Sequence, residues 1–350
     1  MQGQSDQRRQ PGNILTNERN RTNEAQERHM LDRFVTHSTI CEFANDRVNL
    51  GRDDVKDARE QVNRMREKLE RYIADHPGFD LVKMLHSGSV AKGTALQTFE
   101  DMDVAVYVEA GKAPQDEKTL QNWLVDRLRL AYPQKDWGDF KTEQHCVTVT
   151  FIGSGLKVDV VPVLYDGEAN DVGYLITKDT GDRVKTSVKL HLEFTRRRKE
   201  AHKTHYRQMV RLVKWWAAIQ KREHDNFRCK SFMTELIMAH LFDKGLNGSD
   251  YPSALFEFFG FVVRTGLKEQ IVFADYYKPG AVGPSKDPMQ IFDPVNATNN
   301  VASKYTETDR ITLVSAAEEA VDAIAYARRA TTKGEAVDAW QTIFGSSFRG

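Results

Sequence analysis

Three aspartates are of the type and spacing that could do chemistry together. Asp101 and Asp103 lie two positions apart at the start of the apolar run 102–108, and Asp159 lies inside a second apolar run, 157–163. Because side chains alternate along a strand, Asp101 and Asp103 should share one face. A carboxylate between valines, as at Asp159, is costly unless it is paired or binds a metal. The pattern predicts a carboxylate metal site on neighbouring strands.

Three such carboxylates could hold two divalent cations about 4 Å apart, as in-line phosphoryl transfer requires. Mg²⁺ is the expected ion, with Mn²⁺ as a substitute. One cation would activate an attacking hydroxyl, and the other would stabilise a leaving pyrophosphate. Acidic residues at the start of a strand are often only solvated, so Asp159 is the residue that favours the catalytic interpretation.

A glycine-serine turn precedes the aspartates. Gly88 and Ser89 follow the apolar segment 81–85, and Asp101 comes twelve residues after Ser89. At a turn between strand and helix, such residues let backbone N–H groups approach a phosphate closely. Turns of this composition are common, and the Walker spacing is absent. The turn therefore indicates a phosphate-binding site only in combination with the carboxylates.

The elements that must position these residues form an α/β pattern. Short β-type runs lie at 81–85, 102–108, 146–152 and 157–163, and a helical stretch near 120–131 separates the second run from the third. After a Gly/Asp-rich linker the chain is mainly helical. The pattern predicts a mixed α/β domain followed by a helical one.

Three segments follow from this pattern. Residues 1–30 are polar and show no hydrophobic periodicity, so we predict a disordered tail. Residues 31–170 are predicted to form the α/β domain with leading helices, and residues 171–350 the helical domain. At 350 residues the chain is long enough for two domains that share an interface.

Composition narrows the class of protein. The chain has 40% hydrophobic and 29% charged residues, and no apolar run approaches the ~20 residues of a membrane span. The first residues lack the apolar segment of a secretory signal, so a cytoplasmic protein without a membrane partner is expected. The net charge of zero argues against a protein that coats nucleic acid with its whole surface. Any polyanion site must be local, and the most basic stretch begins at Arg196, Arg197, Arg198 and Lys199.

In combination, Gly88-Ser89, the pair Asp101 and Asp103, and the later Asp159 resemble the signature of the DNA polymerase β-type nucleotidyltransferase superfamily. Four segments are similar to the branch that holds the oligoadenylate synthases and the bacterial cGAS/DncV-like nucleotidyltransferases (CD-NTases), namely residues 88–94, 211–216, 230–236 and 291–302. The similarity runs from about residue 40 onward and is strongest to CD-NTases encoded beside HORMA-domain and Trip13-like ATPase proteins. It implies an α+β fold: a polymerase β-like core plus an oligoadenylate-synthase-like helical domain, bilobed, with the active site in the cleft.

The resemblance gives roles to further residues. Lys214 and Ser231 match the lysine and serine that hold the nucleotide triphosphate from the helical lobe, opposite Ser89. By residue chemistry alone, Lys214 could be a solvated helix position and Ser231 a helix N-cap. The implied nucleotide-binding residues are Gly88, Ser89, Lys92, Lys214 and Ser231.

The implied activity is template-independent synthesis of a cyclic oligonucleotide second messenger in anti-phage defence. ATP is the expected substrate, with other NTPs as candidates, and cyclic tri-AMP is the expected product. Implied partners are a HORMA-domain activator with a Trip13-like ATPase regulator and, in some relatives, double-stranded DNA. Arg196, Arg197, Arg198 and Lys199 are the candidate DNA contacts, although these residues could instead line the triphosphate cleft or pair with acidic groups.

Two other functions compete with this one. A linear oligoadenylate or tRNA 3′-end nucleotidyltransferase would use the same carboxylates, but zero net charge and the lack of an RNA-binding module disfavour the tRNA version. A catalytically dead scaffold would have no physical need for three repelling carboxylates.

Overall fold

One mixed sheet and one group of helices form the two lobes of the protein. The structure is a computed structural model, and it describes residues 34–143, 145–177 and 182–350. The predicted tail at 1–30 lies outside the described residues. No helix of the described chain is both long and apolar enough to cross a membrane.

The sheet has seven strands among the described residues, in the order β1-β2-β5-β4-β3, with β6 and β7 added beyond β5. The pair β2 and β5 is parallel, and the other pairs are antiparallel. The strands are β1 (Leu81–His86), β2 (Asp101–Glu109), β3 (Phe140–Thr142), β4 (Val147–Phe151), β5 (Leu156–Tyr165), β6 (Gly173–Ile176) and β7 (Arg183–Thr186). The four predicted runs correspond to β1, β2, β4 and β5, while the short strands were not predicted.

The helices are α1 (His37–Phe43), α2 (Arg52–Asp75), α3 (Gly88–Lys92), α4 (Glu117–Ala131), α5 (Val188–Glu223), α6 (Ser231–Asp243), α7 (Tyr251–Thr265), α8 (Glu307–Ala327) and α9 (Lys333–Phe344). A π-helical turn, Ala44–Val48, follows α1.

The sheet lobe is held together by an apolar core on one face of the sheet. Helix α2 buries Val55, Val62, Met65 and Leu69 against this core, at the spacing of one helical face. Alternate residues of β5, beginning with Val158, point into the same core. The opposite face of the central strands holds a smaller apolar cluster around Tyr107, which leaves the start of β2 for polar residues.

The helical lobe has its own core, built around α5 and α6. Helix α6 is buried on most sides, as is typical of a helix at the centre of a bundle. Residues 35–48 also belong to this core, and Phe43 stacks on Phe344 with ring centroids 5.0 Å apart. Conversely, β6 and β7 belong to the sheet. The predicted boundary at residue 170 thus differs from the edge of the sheet, which continues to Thr186.

Candidate active site

Strands β2 and β5 bring the three predicted aspartates together. Asp103 lies directly opposite Asp159 in the parallel register of the two strands. Asp101 is two residues before Asp103, so both side chains leave the sheet on the same face. The carboxyl groups of Asp101 and Asp159 are close enough to share a hydrogen bond.

Burial and repulsion between neighbouring carboxylates disfavour the charged forms of Asp101 and Asp103. Burial, followed by the charges of Asp101 and Asp159, raises the pKa of Asp103 to about 6. Burial and the neighbouring Asp159 also raise the pKa of Asp101. A cation at this place would relieve the repulsion that raises both values.

Two neighbouring groups orient the carboxylates. Thr148 on β4 lies opposite Asp159, and its hydroxyl donates to Asp159 Oδ1 over 2.6 Å. The backbone N–H of Ser89 donates to Asp103. Thr148 was not among the predicted residues, although a threonine between Val147 and Val149 is the same kind of signal that singled out Asp159.

The residues fit divalent cations. Carboxylate oxygens are the donors that hard cations such as Mg²⁺ prefer. Gly88 leaves room for one of the carboxylates: it has a φ of +66°, and a Cβ at this position would lie 1.7 Å from Asp103 Oδ2. Within the described chain, no three Asp, Glu, His or Cys side chains are already gathered as a metal-binding group. Without a cation, the Asp101 and Asp159 side chains lie within hydrogen-bonding distance of each other.

The glycine-serine turn lies against the carboxylates. Helix α3 starts directly after β1, and Ser87 at its N-cap donates its backbone N–H to the Asp103 carbonyl over 2.9 Å. The helix ends after one turn at Gly93, which has a φ of +73°. Gly88 and Ser89 therefore stand beside Asp103, as the phosphate-binding prediction requires.

Lys92 and Lys214 meet at a residue that was not predicted, Glu235. Lys92 Nζ lies 2.8 Å from Glu235 Oε2, and Lys214 Nζ lies 3.7 Å from Oε1. Lys214 also donates to the Thr94 carbonyl over 2.9 Å, and it is buried rather than solvated. An acidic residue in the apolar sequence of α6 was a signal that could have identified Glu235.

Ser231 is the first residue of α6, and Lys230 is the N-cap residue, so the N-cap alternative for Ser231 is wrong. Ser231 is exposed. The next residue, Phe232, packs under the Lys92 ammonium, whose Nζ lies 4.5 Å from the ring centroid. Ser231 is thus the sequence neighbour of a residue that contacts Lys92, and it does not line the cavity between the lobes.

A cavity of about 550 Å³ lies between the lobes. Gly88 and Lys92 line it from the sheet lobe, and Lys230 and Phe232 line it from the helical lobe, together with apolar residues of β5. The aspartates themselves do not line it, so the cavity adjoins the carboxylates rather than containing them.

His191 also lines the cavity, and its Nε2 lies 2.8 Å from Asp293 Oδ1. Asp293 is buried and accepts further hydrogen bonds from the Val295 N–H and the Asn299 amide. The motif around Asp293 thus forms a wall of the cavity.

The basic residues 196–199 do not line the cavity. Arg198 is 6% exposed and is paired with Asp275 and Asp243, so its guanidinium serves the helical core. Arg196 and Arg197 are exposed and form pairs within α5, with Glu200 and Glu193. Lys199 is also exposed. All three arginines therefore pair with acidic groups, but only Arg198 is withdrawn from solvent.

Comparison with known proteins places this geometry in a family. A family profile described as the Second Messenger Oligonucleotide or Dinucleotide Synthetase domain matches residues 35–188. The cyclic AMP-AMP-AMP synthase of Escherichia coli (strain MS 115-1) is 49% identical over 321 residues, which cover 92% of this chain and 100% of the relative. The chain belongs to the CD-NTase family. The CBASS oligonucleotide cyclase CdnC of E. coli (strain KTE188) is 30% identical, over 90% of this chain and 98% of the relative.

Solved CD-NTase structures agree with the fold. The structure of E. coli MS115-1 CdnC with ATP superimposes with a TM-score of 0.87 at 49% identity, covering 91% of this chain and all of that one. GTP-bound DncV of Vibrio cholerae gives a TM-score of 0.56 at 15% identity, covering 82% of this chain and 76% of that one, and so shares the fold. As a CD-NTase, the chain is a nucleotidyltransferase of the anti-phage CBASS type that synthesises a cyclic oligonucleotide. The family requires divalent metal.

Proposed function

We propose that this CD-NTase converts ATP into cyclic tri-AMP. The observation that carries the proposal is the register of Asp103 with Asp159 beside a cavity of about 550 Å³, in a chain 49% identical to a cyclic AMP-AMP-AMP synthase. In this proposal Asp101, Asp103 and Asp159 hold two Mg²⁺ ions. When bound, these ions would lower the pKa of the attacking hydroxyl and neutralise charge on the leaving pyrophosphate.

The chain's own residues bind and orient the triphosphate. Gly88 and Ser89 approach it from the sheet lobe through the backbone, as glycine-serine turns do. Lys92 and Lys214 supply compact positive charge, and Ser231 a hydroxyl, from opposite sides of the cleft. The apolar lining from β5 and Phe232 suits the adenine ring.

Incubation with all four labelled NTPs and Mg²⁺ tests the activity. We expect a phosphatase-resistant product that contains only AMP and has the mass of a cyclic trimer, and ATP alone should suffice. The Asp103→Asn variant should give no product. A linear product with free ends, or incorporation of another base, would contradict the proposal.

The number of metal ions can be measured without turnover. We expect two Mn²⁺ ions to bind per chain in the presence of an ATP analogue with an α,β-methylene bridge, as measured by electron paramagnetic resonance. Asp103→Asn should lose at least one of them. A single ion with wild-type protein would reject the two-metal arrangement.

We also propose that a HORMA-domain protein activates the enzyme in the cytoplasm, under control of a Trip13-like ATPase. The support is the solved complex of E. coli MS115-1 CdnC with a HORMA protein. The matched chain of that complex superimposes on this chain with a TM-score of 0.87 at 49% identity. Turnover with and without the HORMA partner tests this proposal, and equal rates would reject it.

Double-stranded DNA remains a proposed second activator, with Arg196, Arg197 and Lys199 as its contacts. Arg198 is excluded because it is buried and paired. Changing the other three to Glu should abolish DNA stimulation and leave ATP affinity unchanged, and the wild-type stimulation should fall steeply with salt. The control is Lys221→Glu with Arg222→Glu, which reverses charge on exposed residues in the last turn of the same helix. Stimulation that survives the first set of changes would show that DNA binds elsewhere.

A further inference from the structure

One buried carboxylate connects the two lobes where the predicted triphosphate-binding lysines meet. Glu235 lies on α6 in the helical lobe, and its side chain is 6% exposed. Its oxygens are shared between the lobes: Oε2 accepts from Lys92 over 2.8 Å, and Oε1 accepts from the Thr94 hydroxyl over 2.7 Å. Lys92 and Thr94 both follow the glycine-serine turn of the sheet lobe.

Lys214 joins the same group from the helical side. Its Nζ lies 3.7 Å from Glu235 Oε1 and 2.9 Å from the Thr94 carbonyl, and its side chain is 7% exposed. Two ammonium groups therefore face one carboxylate in a place that water hardly reaches. Lys92 of this group also lines the cavity, whereas Lys214 and Glu235 lie behind it.

The electrostatics show that the carboxylate is ionised. Burial alone would raise the pKa of Glu235, but Lys92 and Lys214 outweigh it, and the pKa lies below its ordinary value. Burial lowers the pKa of Lys214, and Glu235 opposes that change. Lys92 and Asp103 are the other charged groups that act on Lys214.

A buried ion group of this kind is weak evidence for stability, because desolvation offsets most of the attraction. The geometry of Glu235 between Lys92 and Lys214 is better suited to positioning the two ammonium groups than to stabilising the fold. The Glu235 carboxylate contacts two long side chains from different lobes, Lys92 and Lys214. Because an ammonium group has three N–H donors, each lysine can still donate to another anion.

We propose that Glu235 is a positioning residue: by binding Lys92 and Lys214 together, it fixes both ammonium groups relative to the triphosphate and holds the lobes in register at this end of the cleft. The inference rests on the proposed function, in which these lysines contact the triphosphate. Glu235 itself does not touch the nucleotide.

Two variants separate position from charge. Glu235→Asp keeps the charge, but it is one methylene shorter and cannot reach both lysines. Glu235→Gln keeps the length but loses the charge and presents an N–H group to one lysine. We expect turnover, measured with the HORMA partner present, to fall at least about tenfold in both variants, since small misplacements in phosphoryl transfer are costly. Binding of the α,β-methylene ATP analogue should stay within about threefold of wild type in the Asp variant.

The control is Thr234→Val, a buried isosteric change on α6 next to Glu235. The Thr234 hydroxyl is within hydrogen-bonding distance of the Lys230 carbonyl and Cys229 Sγ, and no described hydrogen bond joins it to Lys92 or Lys214. Its turnover per folded molecule should match wild type, with the folded fraction of every variant measured by thermal unfolding.

Three results would overturn the proposal. The first is turnover of both Glu235 variants at the wild-type level, and the second is normal turnover in the Asp variant alone, which would show that only charge matters. The third is loss of analogue binding in the Asp variant, which would assign Glu235 to nucleotide binding. Lys214→Ala separates these results from failure of the proposed function: if it leaves analogue binding unchanged, the triphosphate role of the lysines itself is wrong.

Discussion

Gly88 lies so close to Asp103 that a Cβ atom at this position would be 1.7 Å from a carboxylate oxygen. Its φ of +66° is also one that other residues rarely adopt. The glycine thus meets two separate requirements, one of backbone conformation and one of space. They can be tested separately because Gly78 has a φ of +87°, and a Cβ atom there would have nothing within 4 Å.

We expect Gly88→Ala to abolish synthesis, because the new methyl group would displace the Asp103 carboxylate. Gly78→Ala carries the same kind of backbone cost, roughly 1–2 kcal/mol of unfolding free energy, without that displacement. It should lower the melting temperature and leave turnover per folded molecule intact. Product formation by Gly88→Ala at the Gly78→Ala rate would show that Asp103 does not need its present position.

Asp103 should make the metal-free protein sensitive to pH. Its pKa in the folded protein is about 6 against an ordinary 3.8, so the folded state binds more protons than the unfolded state between these values. The unfolding free energy should therefore fall as pH rises from about 4 to above 6, by about 3 kcal/mol from this group.

Asp103→Asn should remove this fall, and Mg²⁺ should reverse it in wild type near neutral pH. Denaturant unfolding in EDTA at several pH values measures both effects. Asp338→Asn, at an exposed position of α9, is the control and should keep the wild-type pH dependence. A wild-type stability that stays flat from pH 4 to 7 would argue against a carboxyl with a raised pKa.

At the scale of elements, the site depends on the register of three strands. Asp159 faces Asp103 on one side of β5 and Thr148 on the other. The alternation of side chains within β2 and β5 is local information, and it was enough to predict the four longer strands and that the three aspartates lie close together. The contact between Lys92 and Glu235 joins residues 143 positions apart, and no local pattern encodes such a pair. The short strands β6 and β7 have too few residues to show a period.

Strand β4 offers a test of that register. Thr148→Val removes the hydroxyl that donates to Asp159 over 2.6 Å but keeps the shape of the side chain. A hydrogen bond to a charged group contributes about 1.5–3 kcal/mol, so we expect turnover to fall by roughly tenfold or more.

Thr150→Val is the matched control two residues along the same strand, where the side chain makes no hydrogen bond in the described structure. Its turnover should equal that of wild type. Equal effects of the two valines on turnover would mean that the Thr148 hydroxyl does not orient Asp159.

At the scale of the whole molecule, the chain enters the helical lobe, leaves it to build the sheet, and returns. Phe43 near the first described residues packs on Phe344 and on Phe348, with ring centroids 5.0 and 5.1 Å apart. The apolar spacing of residues 31–48 predicts a helix but does not tell in which lobe it packs. This segment was therefore assigned to the α/β domain that follows it. Contacts with distant parts of the chain decide the position of its described part, among them His37 on Tyr251 and Phe43 on Phe344.

We expect Phe348→Ala to destabilise the protein by about 3–5 kcal/mol, as removal of a buried phenylalanine does. Phe348 is fully buried, whereas Tyr326 is 52% exposed, so Tyr326→Ala is the control and should change the unfolding free energy little. Hydrogen exchange should show that residues 35–48 lose protection in the Phe348 variant. Unchanged protection there would mean that the two ends are stabilised independently.

The return of the chain to its starting lobe has a consequence for synthesis on the ribosome. Residues 35–48 must wait for residues 340–348, which are translated about 300 residues later, before their core can close. The sheet lobe, with all three aspartates, lies between them and can fold while translation continues. A nascent chain thus holds its carboxylates early but completes the lobe that carries Lys214 and Glu235 only near the end. A translation product that ends before Asp293 would lack one wall of the cavity between the lobes.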